Sequence, residues 1–170
     1  QLIDKDKNNS LSVGFPRVKE RLKNAGVIKA IFIPVDFVDL KGSGNPSTLY
    51  FDMAQGLNEY YQKVSSGKVS FQIEILSEYV HLPFESTKHN LGAWNGGNPN
   101  SYWEEAISVA DQQVDYSKFD AIYILSPTNI LSSSIAYGPA FPKLVVTADG
   151  DIQNGSFSGA DAYQNFPGAS

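Results

Sequence analysis

The sequence predicts an α/β fold: one twisted, mostly parallel sheet of about four to five strands with an antiparallel edge strand, packed against two main helices. Three observations predict it. Two runs, 27–37 and 119–125, are apolar on both faces, as strands in the middle of a sheet are. Two longer segments, 48–65 and 101–114, carry apolar residues at three- and four-residue spacings, the period of a helix with one buried face. The two kinds alternate in the order β, α, β, α, β, β, which joins parallel strands through helical crossovers.

Composition bounds the rest. One domain with a core of ordinary size is expected for 170 residues. A hydrophobic content of 42% with 12% aromatic residues is that of a folded chain rather than a disordered one. A formal charge of −5 leaves no excess of Lys and Arg to neutralise phosphates, so no nucleic acid is expected as a partner. Arg17, Lys19, Arg21 and Lys23 form a local exception and read first as a solvated helix face. Without cysteine, disulfides and thiolate metal sites are excluded. No run approaches the roughly 18 apolar residues of a membrane helix, so no transmembrane segment is expected. The chain starts at Gln1 without a signal-peptide pattern and reads as a mature or trimmed product.

In chain order, residues 1–26 read as a leader with a short helix from Pro16, suited to a first helical position, to Gly26, suited to a stop. Within it Asp4, Asp6, Asn8 and Ser10 alternate as the oxygen ligands of a calcium loop do. Asn9 replaces the usual glycine and Phe15 the bidentate glutamate. Two readings therefore stand: a solvated leader, or a calcium site completed by a carboxylate from elsewhere. A single α/β domain follows over 27–150. Its first strand contains Pro34, which cannot donate to a ladder, so a strand end or bulge is expected there. After a turn-rich loop, 41–46, the helix over 48–65 gathers Tyr50, Met53, Leu57, Tyr60, Tyr61 and Val64 on one face. Ser47 fits its N-cap and Gly67 its C′ position. Gly56 in mid-helix costs up to about 1 kcal/mol relative to Ala, and close packing on a neighbouring strand is one reason to keep it.

Residues 69–82 alternate, with Phe71, Ile73 and Ile75 on one side and Gln72 and Glu74 on the other, as one long strand with a solvated face would. The loop 83–100 ends in the turn chemistry of Asn95, Gly96, Gly97, Asn98 and Pro99. Ser101 and Glu104 fit a capping box, and Trp103, Ala106, Ile107, Ala110 and Val114 form a core stripe to about residue 114. After the strand 119–125, residues 127–142 are expected to meander over the surface. A short strand, 143–148, suits a sheet edge. Residues 151–170 read as a loop-like tail that continues in a longer parent protein.

No complete active site is legible. There is no H-E-x-x-H zinc helix, no G-x-S-x-G elbow and no phosphate cradle, which disfavours a nucleotide-binding domain. The two histidines, His81 and His89, read as surface or turn residues. Glu104 and Glu105 suit a first helical turn. Asp36 and Asp39 are more informative, because they stand at the carboxyl end of a central strand, where open α/β sheets commonly bind ligands. Capping or turn formation by Asp39 is the competing reading.

Several segments together resemble the secreted zinc metallopeptidases of the immune inhibitor A and gametolysin type, within the zincin group. They are the strand closing on Val35, Asp36, Phe37, Val38 and Asp39; the helix with Glu59, Tyr60 and Tyr61 before Ser65, Ser66, Gly67 and Lys68; the strand closing on Leu82 and Pro83; the helix with Glu105, Ala106, Ala110 and Asp111; and the strand from Phe119 to Ile124. The similarity covers about residues 27 to 126 and implies the upper part of a zincin-like catalytic domain. It implies zinc in the parent protein, with ligands outside this chain, so no catalytic or zinc residue is carried over. It also implies a secreted or cell-surface location and a peptide or protein substrate. That substrate would pair with the edge strand at Lys143, Leu144, Val145 and Val146. The remaining C-terminal part of the parent, or another chain, would cover the apolar surface left open. The alternative is a non-catalytic structural or binding module, a surface, appendage or virion component, that reuses the scaffold.

Overall fold

An apolar run rich in β-branched residues needs partners on both faces, and β1 (Gly26–Asp36) lies inside the main sheet with every residue from 30 to 37 buried. The computed structural model describes residues 22–92, 97–138, 144–152 and 154–164. Residues 22–25 are coil and bend rather than helix, and Gly26 opens β1 instead of stopping a helix. Residues 16–21 of the expected helix lie outside the described residues, as do Asp4, Asp6, Asn8 and Ser10.

Pro34 neither ends nor bulges β1. The carbonyls of Phe32 and Asp36 accept from the N–H groups of Leu76, at 3.1 Å, and Leu82, at 2.9 Å, so Pro34 between them faces the same side. There β2 (Val69–Ile75) has ended and β3 (Val80–His81) has not begun. The missing N–H falls where no strand stands to receive it. The long strand expected over 69–82 is thus two strands, both parallel to β1.

The helix expected over 48–65 is also divided, into α1 (Pro46–Leu49) and α2 (Phe51–Val64), with buried Tyr50 between them. Asn45, not Ser47, is the cap, its Oδ1 accepting from the Thr48 N–H at 3.3 Å, with Pro46 in the first turn. At the far end the Gly67 N–H reaches the Gln62 carbonyl at 2.7 Å and the Ser66 N–H reaches that of Lys63 at 3.2 Å, a Schellman motif. Its C′ residue is Ser66, at φ 54°, and Gly67, at φ 77°, follows it.

Helix α3 (Pro99–Ala110) is capped by Asn98, whose Oδ1 accepts from the Ser101 N–H at 3.1 Å. The capping box of Ser101 and Glu104 does not form, because both lie inside the helix. Trp103, Ala106, Ile107 and Ala110 are buried as their spacing requires, and Val114 is buried just beyond the helix. Next come β4 (Ala121–Leu125), β5 (Val145–Thr147), β6 (Gly150–Ile152), β7 (Gly155–Phe157) and α4 (Asp161–Gln164). Two expectations fail here. The segment after β4 is not confined to the surface, since Ile130 and Ile135 are buried and the latter bridges to Leu91. The described residues from 150 to 164 are not loop-like, since they supply two strands and a helix.

The main sheet has the order β2-β1-β4-β7, with β3 also on β1, and all these pairings are parallel. The antiparallel element is a separate ribbon of β5 and β6, not an edge of the main sheet. The pleat divides the sheet residues between two faces. Ile31, Ile33, Val35, Ile122, Ile124 and Phe157 meet α3, where the rings of Tyr102 and Phe157 stand edge to face at 4.9 Å. Ile28, Ala30, Phe32, Phe71, Ala121 and Tyr123 meet α2 through residues such as Leu57. Along β2 the outward N–H groups of Val69 and Phe71 are taken by Ser65 Oγ, at 2.9 Å, and Asn58 Oδ1, at 2.8 Å. The helix thereby blunts an otherwise open sheet edge. No helix among the described residues is long and apolar enough to cross a membrane.

Candidate functional site

Parallel strands end together, and loops at their carboxyl ends gather side chains from distant parts of the sequence. In this chain the pairing of β1 with β3 sets Asp36 directly opposite His81. Nδ1 of His81 donates to Oδ1 of Asp36 across 2.6 Å. The Asp36 carboxylate is only 2% exposed, so its charge needs partners. Besides His81, it has the Lys41 ammonium at 3.5 Å and the Gly42 N–H at 3.2 Å. The His81 side chain is 70% exposed, so a buried carboxylate fixes one ring nitrogen while the rest of the ring faces solvent.

The loop that follows β1 is held over this end of the sheet. A side chain at Gly42 would stand 2.4 Å from the Tyr79 ring, so the residue must be glycine for the ring to lie there. The Tyr79 hydroxyl donates to the Ser43 carbonyl at 3.1 Å. Asp39 does not join Asp36. It turns to the next loop, where it accepts from the Ser86 N–H at 2.7 Å and from Ser86 Oγ at 2.8 Å. Desolvation raises its pKa, and the hydrogen bonds from Ser86 together with that from its own backbone N–H more than reverse the effect, leaving it below the ordinary carboxylate value.

Behind the loop lies a buried set of hydroxyls. The hydroxyls of Tyr50, at 2.9 Å, and Tyr163, at 2.5 Å, donate to the Ser126 carbonyl. Ser126 exchanges two 2.9 Å hydrogen bonds with Ser158, one between its N–H and Ser158 Oγ and one from its own Oγ to the Ser158 carbonyl. These residues follow β4 and β7 directly, so the network ties those strand ends together. Burial pushes the pKa values of Tyr50 and Tyr163 far up. Both phenols stay neutral and donate, and neither is a base at neutral pH.

His89 differs from His81. It lies in a turn, as expected, but its ring is buried, edge-on to Phe84 at 5.2 Å and to Tyr102 at 5.7 Å. Nε2 lies 3.4 Å from Glu105, close enough for attraction but without hydrogen-bond geometry. Desolvation lowers the His89 pKa against the pull of Glu105. The Glu105 pKa is lowered chiefly by Lys88, 2.6 Å away. Glu104 and Glu105 are not in the first turn, which holds no acidic residue.

The expected edge-strand residues sit elsewhere. Val145 and Val146 lie on β5 of the separate ribbon, Leu144 just precedes it, and Lys143 falls outside the described residues. The partnership of Asp36 with His81 and Lys41 was not legible, because 45 residues and a strand break separate the aspartate from the histidine. Only the parallel register brings them together. The arrangement can orient one imidazole and balance one buried carboxylate. Among the described residues no group of three or more His, Cys, Asp or Glu could hold a metal ion. No protein-family model matches the chain, and no curated protein matches it.

Proposed function

We propose that this chain is the upper part of the catalytic domain of a secreted zinc-dependent endopeptidase and is inactive alone. The observation that supports this reading is the joint folding of the family-like segments. The strand with Asp36, α2, β2, α3 and β4 pack as one parallel sheet between two helices, in the order that the resemblance implies. The described residues do not fit a zinc site, since Asp36 and His81 are two groups rather than a ligand set. Zinc ligands and base belong to other residues of the parent protein, and no catalytic step is assigned here. In this reading the Asp36–His81–Lys41 cluster is a positioning device that fixes the loop at the carboxyl end of the sheet. The side of β5 turned away from β6 is where an extended peptide would pair.

The test is metal content and peptide hydrolysis of the source protein, with and without a chelator. One zinc per chain and chelator-sensitive cleavage are expected. A metal-free source protein without peptidase activity overturns the reading. That outcome leaves the second one, a non-catalytic structural or binding module that reuses the scaffold.

A further inference from the structure

The buried carboxylate of Asp36 holds partners of two kinds. Its Oδ2 accepts from the Gly42 N–H at 3.2 Å, and its Oδ1 lies 3.5 Å from the Lys41 ammonium. Both partners belong to the loop after β1, so together they fix that loop and set a cation against the carboxylate. His81 comes from β3 instead, and holding the loop does not account for its 2.6 Å hydrogen bond to the same Oδ1. That bond settles the tautomer. A carboxylate only accepts, so the proton sits on Nδ1, and the neutral ring carries its lone pair on Nε2. With the side chain 70% exposed, reagents in solution reach the ring.

We propose that His81 is a phosphoryl-accepting residue, modified on Nε2 by a phosphoramidate donor, a phosphoryl group carried on nitrogen. Three observations carry it. Asp36 and His81 stand opposite each other on paired strands, so rigid elements aim the ring, and a carboxylate on one ring nitrogen leaves the other as the nucleophile. The Lys41 ammonium shares the Asp36 oxygen with the ring, and its exposed end can pair with phosphoryl oxygens. The cluster also lies at the carboxyl ends of parallel strands, where open α/β sheets commonly receive ligands. In the transfer the Nε2 lone pair forms the new N–P bond as the P–N bond of the donor breaks. The donor nitrogen, already protonated, leaves with the pair of the broken bond. The ring keeps its Nδ1 proton, and the positive charge it gains faces the Asp36 carboxylate.

The full chain incubated with potassium phosphoramidate tests this. Intact mass counts the phosphoryl groups, fragment mass spectrometry assigns the residue, and phosphorus NMR distinguishes the two ring nitrogens. One group per chain is expected, on Nε2 of His81. His89 is the internal reference, since its side chain is 7% exposed and packs against Phe84 and Tyr102, and it should stay unmodified. Asp36→Asn should slow the transfer about tenfold and let Nδ1 compete. Lys41→Gln, an exposed substitution, should slow it by a smaller factor. Modification of Nδ1 in the unaltered chain, or of His89 ahead of His81, overturns the proposal whether or not the Asp36→Asn variant folds. An unchanged rate in either variant overturns it as well.

Discussion

The two faces of the sheet differ in how they are closed. On the α3 side, sheet residues such as Ile33 and Ile124 and helix residues such as Ala106, Ile107 and Ala110 are all at or near zero exposure. On the α2 side the sheet is equally apolar, but the helix turns Tyr60 and Val64 outward and leaves a groove beside it. A stripe of the right period is therefore not the same as a buried stripe. Tyr50, at the head of the α2 stripe, is buried, and Val64, at its foot, is 59% exposed. The difference predicts where mutations will matter.

The largest effect belongs to the closed face. Ile107→Ala should cost about 2–5 kcal/mol, because the residue is fully enclosed and the site has no room to collapse. Urea unfolding measures it. A loss below about 1 kcal/mol would mean that this face is no tighter than the other. Next comes the cluster at the carboxyl end of the sheet. A double-mutant cycle of Asp36→Asn and His81→Gln should give a coupling of about 0.5–2 kcal/mol, the lower part of the range for contacting pairs, since solvent screens the exposed imidazole. Zero coupling would reduce the 2.6 Å contact to mere proximity.

These two sites also mark what was legible in the sequence. The stripe of α3 and the two buried strands are local patterns, read from spacing alone, and they hold. The boundaries shifted where a polar side chain further upstream captured the helix start, as Asn45 did before Ser47 and Asn98 before Ser101. Both aspartates were visible as residues of interest. Their partners were not, because Ser86 and His81 reach them through loop paths and strand register that no short window encodes. Strand β7 was missed for a related reason. At three residues, with a glycine first, it has no period of its own, and its place comes from pairing with β4.

The buried histidine gives a smaller effect with a definite sign. Burial lowers the His89 pKa below its ordinary 6.5, so between those values the unfolded chain binds the proton that the folded chain does not. Its contribution is fully present above the unfolded value and is lost as pH falls from there through the folded value. Stability should decline on acidification from pH 7.5 to 5, and His89→Phe should make that decline shallower. Glu105 does not confuse the readout, since its lowered pKa places its own loss below about pH 4.5. An identical slope in the variant would mean that the ring is wetter than its contacts with Phe84 and Tyr102 indicate.

The smallest effect probes the foot of α2. Val64→Ser exchanges an exposed apolar side chain for a polar one of similar helix propensity. The Schellman motif that ends the helix uses backbone groups of Gln62, Lys63, Ser66 and Gly67, none of which the substitution removes. The change in stability should therefore stay within about 0.5 kcal/mol, as for surface sites generally. A loss above about 1 kcal/mol would show that something packs on this turn, and the contrast between the closed and open faces would narrow accordingly. Paired with Ile107→Ala under the same denaturant, the measurement turns a difference in exposure into a difference in free energy between two stripes of the same period.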